Sequence, residues 1–235
     1  MKLLKFVSLT FICSAIFFSA ISQDNEAIQD DKEMDKISSS IEVLNEFTTM
    51  KGNIPAELLK ITQGIIIIPA MRNAGFVIGA KRGKGIAVVK NEDGTWSDPV
   101  FITLTGGSLG LQVGIQSVDL VLVFKKRSTL ENIGKGSFTL GGDISATAGP
   151  VGRSSSAGTD YKMEAVVYSY SRSKGLFAGL SISGSSIDVD ENANDRFYGE
   201  EVSAKGIFDN EMEEHTSDET QSLKQTLNTL AIRKK

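Results

Sequence analysis

Cysteine and histidine are all but missing from this chain: Cys13 and His215 are the only two in 235 residues. A disulfide framework and a Cys/His zinc site both need more than that. Net positive charge is also missing. Twenty-five Lys and Arg stand against 29 Asp and Glu, giving a formal net charge of −4 and making the chain a poor generic nucleic-acid binder. No apolar run reaches the ~20 residues of a membrane-spanning helix. There is no phosphate loop of the Walker type. Lys84 and Lys135 each follow a glycine, but the first glycine of that motif is absent and neither lysine precedes Ser or Thr.

What is present begins with a secretory signal. Lys2 and Lys5 form a positive start, Phe6 to Phe18 an apolar stretch, and Ala20-Ile21-Ser22 a small-x-small cleavage site before Gln23. Residues 1–22 are therefore expected to be removed, with the protein exported, periplasmic or secreted; a retained membrane anchor is the less favoured alternative. Cleavage takes Cys13 with it, and losing Lys2 and Lys5 moves the formal net charge from −4 to −6. The ~210 residues left can bury roughly 70 % of their unfolded surface, enough for one domain without disulfides. That domain is placed at 34–208. A flexible polar lead-in at 23–33 precedes it, and an acidic tail at 209–235 follows.

Within the domain the apolar positions Met34, Ile37, Ile41, Leu44 and Phe47 step by three and four, one face of a helix. Core packing is the favoured role of that face, and an interfacial membrane helix is the alternative. A second short helix has Pro55 in its first turn and Gly64 past its end. The period then changes to strand. Ile65 to Ile68 is a continuous β-branched run suited to burial on both faces. Short strands are predicted at Phe76–Ala80, Ile86–Lys90, Val100–Thr105, Leu111–Gln116 and Val118–Phe124, and more between Phe138 and Ile187. Asn91 to Gly94 forms a hairpin turn, and Ser128 with Glu131 a capping box. The fold class is α+β: an antiparallel, β-rich, barrel- or sandwich-like sheet with N-terminal helices packed on it and a short C-terminal helix. That last helix carries Leu223, Leu227 and Leu230 and is expected to be loosely attached. An integral outer-membrane barrel is disfavoured because Ile65–Ile68 does not alternate and the N-terminal region is helical.

Three sequence patterns look chemical. Gly106-Gly107-Ser108-Leu109-Gly110 matches a nucleophile elbow, but strand rather than helix follows it and His215 lies far off in the acidic tail. Ser171-Arg172-Ser173-Lys174 matches S-x-x-K without its partner motifs. Asp188-x-Asp190-x-Asn192 starts like a calcium loop, then has Ala193 and Gly199 where Gly and Glu belong. A polar turn capping a helix toward Tyr198 is the favoured reading. No catalytic set, metal or cofactor is expected.

The most telling stretch is Tyr168-Ser169-Tyr170-Ser171-Arg172-Ser173-Lys174 followed by Gly175 to Gly184. Around it lie Ile54 to Leu59, Gly64 to Pro69, Gly75-Phe76-Val77-Ile78-Gly79, Trp96-Ser97-Asp98-Pro99, Gly110 to Gly114, Gly149 to Arg153 and Arg196-Phe197-Tyr198-Gly199. In this order, over roughly residues 35 to 200, they resemble the SYLF domain family. The resemblance implies binding of lipid, often phosphoinositide, and in fungal members also of actin. The basic residues that could meet an anionic head group are Lys81, Arg82, Lys84, Lys125, Lys126, Arg127, Arg153, Arg172 and Lys174, all read as lying in turns or at strand ends. The expected function is a non-catalytic exported protein that binds anionic lipid or a membrane surface. A protein–protein scaffold is the alternative, and a serine hydrolase at Ser108 the least favoured.

Overall fold

The computed structural model describes residues 32–48, 54–135, 138–141, 146–149, 165–173, 176–177, 182–199, 202–211 and 217–232. The expected signal segment lies outside them. Helix α1 spans 32–48. Its three-and-four spacing does what amphipathic spacing should: Ile37, Leu44 and Phe47 are fully buried, and Met34 and Ile41 pack at the edge of the same cluster. Lys32 and Glu33, expected in the flexible lead-in, already belong to this helix, and Glu33 is buried. Helix α2, Ala56–Lys60, follows Pro55 at its N-cap.

Two very long strands dominate the molecule. β1 (Gly64–Val89) and β2 (Val100–Phe124) form one antiparallel hairpin whose register runs from Gly64↔Phe124 to Ala87↔Val100. The five short strands expected between Phe76 and Phe124 are thus segments of two continuous ones. Glycines that read as turns lie inside the ladder instead, where small residues let the backbone bend and approach its neighbours. Register shifts between Ile68 and Met71 and between Gly75 and Val77 bend the hairpin, and the two arms of β1 come back together. Gly85 faces the Ile67 carbonyl with no room for a Cβ, and the Lys90 N–H donates to the Gln63 carbonyl at 2.9 Å.

This self-contact explains the isoleucine run. Ile65 and Ile67 face one core with Ile86, Val88, Val121 and Val123; Ile66 and Ile68 face a second with Ala87, Val89, Val100, Ile102 and Leu122. Each buried Ile contributes about 1.5–3 kcal/mol of hydrophobic stabilisation, so a run buried on both faces anchors the two cores together. The other edge of β2 carries β7 (Ser185–Val189) along residues 102–106 and β5 (Val167–Ser173) along 119–124. β3 (Phe138–Leu140) adds to β7, while β4 (Ala146–Ala148, parallel) and β6 (Leu176–Phe177) add to β5. Seven described strands make one mostly antiparallel, barrel-like sheet, and the α+β class holds.

Helix α3, Arg127–Glu131, begins before Ser128, so Lys126 and not Ser128 is its N-cap; a 3-10 turn at Asn132–Lys135 continues it. Helices α4 (Glu191–Tyr198), α5 (Ala204–Phe208) and α6 (Asp218–Ile232) complete the described chain. The loose attachment expected of α6 is corrected here. Leu223, Leu227 and Leu230 are 0, 1 and 3 % exposed and fill the same core as Ile37 and Phe47. Their spacing was legible as a helix face, but the acid-rich stretch before it disguised a core element as a tail.

Candidate functional site

The closed end of the hairpin fixes the site's geometry. In Trp96-Ser97-Asp98-Pro99 each residue makes a tie. The Ser97 Oγ accepts the Val89 N–H at 3.1 Å and donates to the Asp98 carbonyl at 2.9 Å. Asp98 pairs with Lys224 of α6 at 2.9 Å, and the Pro99 carbonyl accepts the Tyr198 hydroxyl at 2.8 Å. Trp96 is buried. Buried Asn194 pins α4 on the start of β2: its Oδ1 accepts the Phe101 N–H at 2.9 Å, and its Nδ2 donates to the Phe101 and Asp190 carbonyls at 3.1 and 3.0 Å. Asp190 caps α4 by accepting the Ala193 N–H, and Gly199 closes it at φ +74°, a conformation that favours glycine. The sequence reading of Asp188–Asn192 as a helix-capping turn is what the structure has.

These ties bring α1, β1, β2 and α4 around a cleft of about 480 Å³. Its rim carries Lys32, Lys36, Lys84 and Arg196 against Glu33, Asp35 and Asp190, and its floor is Gly85, Phe101, Ile102 and Ala193. Lys84 Nζ lies 2.7 Å from Asp190 Oδ2, which also accepts the Thr103 hydroxyl at 3.3 Å. Burial alone would raise the Asp190 pKa; the Lys84 hydrogen bond and charge outweigh it and hold the carboxyl below its ordinary value. Arg196 reaches Glu33 Oε1 at 2.6 Å, while Glu33 Oε2 is buried with no hydrogen-bond partner among the described residues. Lys36 is the strained cation. Burial first, and then the neighbouring Lys84 charge, lower its pKa, with Glu33 and Asp35 opposing. Two ammonium groups facing one cleft at a cost to one of them is an arrangement that an anion would relieve.

The nine basic residues singled out in the sequence do not share one place. Arg153 and Lys174 lie outside the described residues. Arg172 is buried in β5, where it pairs with Asp119 at 2.6 Å and with Glu46 of α1, and lies over the Phe47 ring at 5.6 Å. Burial would lower its pKa, but the two carboxylates raise it. Arg127 ties α3 to the hairpin turn and α5, with Glu131 and Asp209 each at 2.5 Å, the Phe208 carbonyl at 3.1 Å, and Asn91. Lys125 sits 6.0 Å over the Tyr168 ring, and Lys126 is exposed. Lys81, Arg82 and Lys84 occupy continuous β1 rather than a turn, so alternate side chains take opposite faces. Lys81 is buried, with its pKa lowered by desolvation, whereas Arg82 and Lys84 are exposed. Of the seven that are described, only Lys84 lines the cleft. Lys32, Lys36 and Arg196 were missed as site residues. The four-residue spacing of Lys32 and Lys36 was the one available hint, and only tertiary packing brings α4 to them.

The catalytic look-alikes take structural places. Ser108 lies in the β1–β2 ladder opposite Gly79, not at a strand-to-helix corner, and His215 lies outside the described residues. Ser171 is buried in β5. No group of three or more His, Cys, Asp or Glu among the described residues could hold a metal, and no described helix is long and apolar enough to cross a membrane.

A barrel-like α+β domain with a mixed-charge cleft between its first helix and its sheet is the class that fold and site define. The sequence model of the family described as "Ysc84: Las17-binding protein actin regulator" matches residues 105–230, a little over half of the chain. The chain belongs to this family, the SYLF family its motifs resemble. The match takes in α6, so the likeness extends past Gly199, where the motifs alone had ended it. The chain is 38 % identical over 180 residues to LAS seventeen-binding protein 3 of Saccharomyces cerevisiae, covering 75 % of this chain and 39 % of that protein. Against SH3 domain-containing YSC84-like protein 1 of Homo sapiens it is 34 % identical over 173 residues, covering 71 % and 50 %. Protein YSC84 of Saccharomyces cerevisiae is 39 % identical over 158 residues, covering 66 % and 34 %. The matched region thus spans half or less of these relatives.

Proposed function

We propose that this chain is a non-catalytic binding protein that takes an anionic, phosphate-bearing lipid head group in the cleft between α1, β1 and α4, and that it acts after export, in a periplasm or outside the cell. The observation that carries this reading is the pair of cations facing one cleft, Lys36 and Lys84, with Lys36 held at a cost by burial and by its neighbour. An anion between them removes that cost. The placement of Ser108 inside a β-ladder speaks for binding over catalysis. Export rests on the Met1–Ser22 pattern alone, and N-terminal sequencing of the exported protein should start at Gln23.

The test is co-sedimentation with phosphatidylcholine vesicles, with and without about 30 % anionic lipid. Lys36→Gln together with Lys84→Gln should weaken binding to anionic vesicles on the order of ten- to thirtyfold, since each cation near such a surface is worth about 1 kcal/mol. Equal binding by the double variant would sink the cleft as a head-group site. A second reading, a protein-interaction role, draws on the family description and on the name of the yeast relative, both of which refer to Las17 or LAS seventeen binding. It predicts a folded protein indifferent to vesicles, with a protein ligand whose capture Lys36→Gln and Lys84→Gln leave unchanged.

A further inference from the structure

We infer that the head group taken by the cleft carries a primary ammonium beside its phosphate, and that Glu33 is the seat of that ammonium. The inference rests on the lipid reading above and names the class of head group within it.

The charges of the cleft are interleaved, not segregated. Glu33 on α1 reaches across to Arg196 on α4 at 2.6 Å, and Asp190 at the head of α4 meets Lys84 on β1 at 2.7 Å. Lys32, Asp35 and Lys36 complete the charged lining from α1. Four cations against three carboxylates leave the described lining with a single net positive charge. A head group bearing several phosphates would set its extra charges against Glu33, Asp35 and Asp190, and like charges so juxtaposed are costly. One phosphodiester matches the excess.

Glu33 calls for the second sign. It is 6 % exposed, and its Oε1 accepts from Arg196, while Oε2 is buried without a hydrogen-bond partner among the described residues. A buried carboxylate oxygen left unpaired is costly, and in a concave site it points to a donor that arrives with the ligand. Arg196 fixes the carboxylate from one side, so the second oxygen is held in place to receive that donor. An ammonium is the donor that also balances its charge. Glu33 and Lys36 stand three residues apart on one helix, about 5–6 Å between Cβ atoms. That is the scale of a phosphate and an amine joined through two carbons, so one small head group spans both. The phosphate relieves Lys36, whose pKa is lowered by burial and by Lys84, and the ammonium relieves Glu33. The lysines of the rim ride on flexible stems, so they can follow a phosphate and open the way to Glu33. The quaternary ammonium of phosphatidylcholine has no N–H to give, which leaves that lipid outside the class.

The test compares phosphatidylcholine vesicles carrying about 30 % phosphatidylserine with vesicles carrying about 30 % phosphatidylglycerol, lipids of equal net charge of which only the first has an ammonium. Wild type should bind the first at least about tenfold more tightly, the scale of a hydrogen bond to a charged group. In Glu33→Gln, shown folded by its melting curve, that preference should shrink to within about twofold. A second arm needs no variant. Glycerophosphoserine should displace wild type from phosphatidylserine vesicles, and glycerophosphoglycerol at the same concentration should not. Equal binding of both vesicles by wild type, equal displacement by the two esters, or a Glu33→Gln variant that keeps the full preference overturns the ammonium seat. The cleft reading then still stands if Lys36→Gln with Lys84→Gln weakens binding to phosphatidylglycerol. If wild type binds neither vesicle but takes glycerophosphoserine in preference to glycerophosphoglycerol, the ammonium seat stands and its lipid source falls. Binding of neither vesicle and neither ester removes both.

Discussion

The two extremes of the β1–β2 hairpin are built on opposite plans. At the closed end, the side-chain polar groups of Ser97 and Asn194 are tied to backbone, Asp98 is held by Lys224, and Trp96 is buried. At the bend, Arg72 and Ile115 face solvent and the carboxylates are gone. One end is tied to α4 and α6; the other, among the described residues, is tied through its own ladder, the Arg172–Asp119 grip and the Ser173 hydroxyl on the Ser117 carbonyl. Family motifs mark both ends, Trp96 to Pro99 at one and Gly75 to Gly79 at the other. A shared motif can therefore hold a fold together or present a surface, and only the surroundings tell which.

The largest expected break of this contrast is removal of α6. Truncation after Phe208 deletes Leu223, Leu227 and Leu230 from the core and Lys224 from Asp98. Replacing one buried Leu by Ala typically costs about 2–5 kcal/mol. Three together exceed much of the ~5–15 kcal/mol a domain has, so the truncated chain should show no cooperative thermal transition. Soluble protein with a wild-type melting curve would return α6 to the status of a tail.

Next is Arg172→Met, which leaves Asp119 and Glu46 without their common cation. Breaking a buried pair costs about 3–5 kcal/mol; Glu46 is half exposed, which sets the expectation at the low end, about 3 kcal/mol by urea denaturation. Asn194→Ala should cost about 2 kcal/mol by losing the hydrogen bonds that pin Phe101. It should leave the bend untouched.

The smallest effect is in acid. Asp190 has a folded pKa below its unfolded value of ~3.9. Its contribution to stability is therefore fully present above the unfolded value and is lost as pH falls through the folded one. Lys84→Met leaves burial to raise that pKa and should move the acid unfolding midpoint upward by less than about one pH unit. A midpoint unchanged or lowered would mean that Asp190 is held by Thr103 and its helix cap alone.

Much of the fold was legible because local patterns and tertiary demands agreed. The Met34–Phe47 spacing is α1, the Ile65–Ile68 run is buried on both faces, and Asp190 caps α4. The misreadings share a cause: glycine serves both turns and close backbone approach. Gly85 looked like punctuation, yet it lies where β1 meets its own beginning, and splitting β1 there put Lys81 and Lys84 in a turn. The candidate site was less legible. Lys84 was named, but its cleft partners sit on helices far away in sequence, and nothing local says that Lys36, Lys84 and Arg196 converge. Arg172 looked like a surface cation because the carboxylates that claim it, Glu46 and Asp119, are on other elements.

The tie between Asp98 and Lys224 also sets a timetable. A ribosome adds about 5–20 residues each second, so the partner of Asp98 emerges on the order of ten seconds after it. Until then the face of the hairpin formed by Ile65, Ile67, Val121 and Val123 has α1 but not α6 to cover it. The nascent chain thus carries its longest strands with one apolar face half bare, and the core closes only through a contact of large sequence separation, the slow kind. Synthesis of this domain leaves a window in which a chaperone can hold it open.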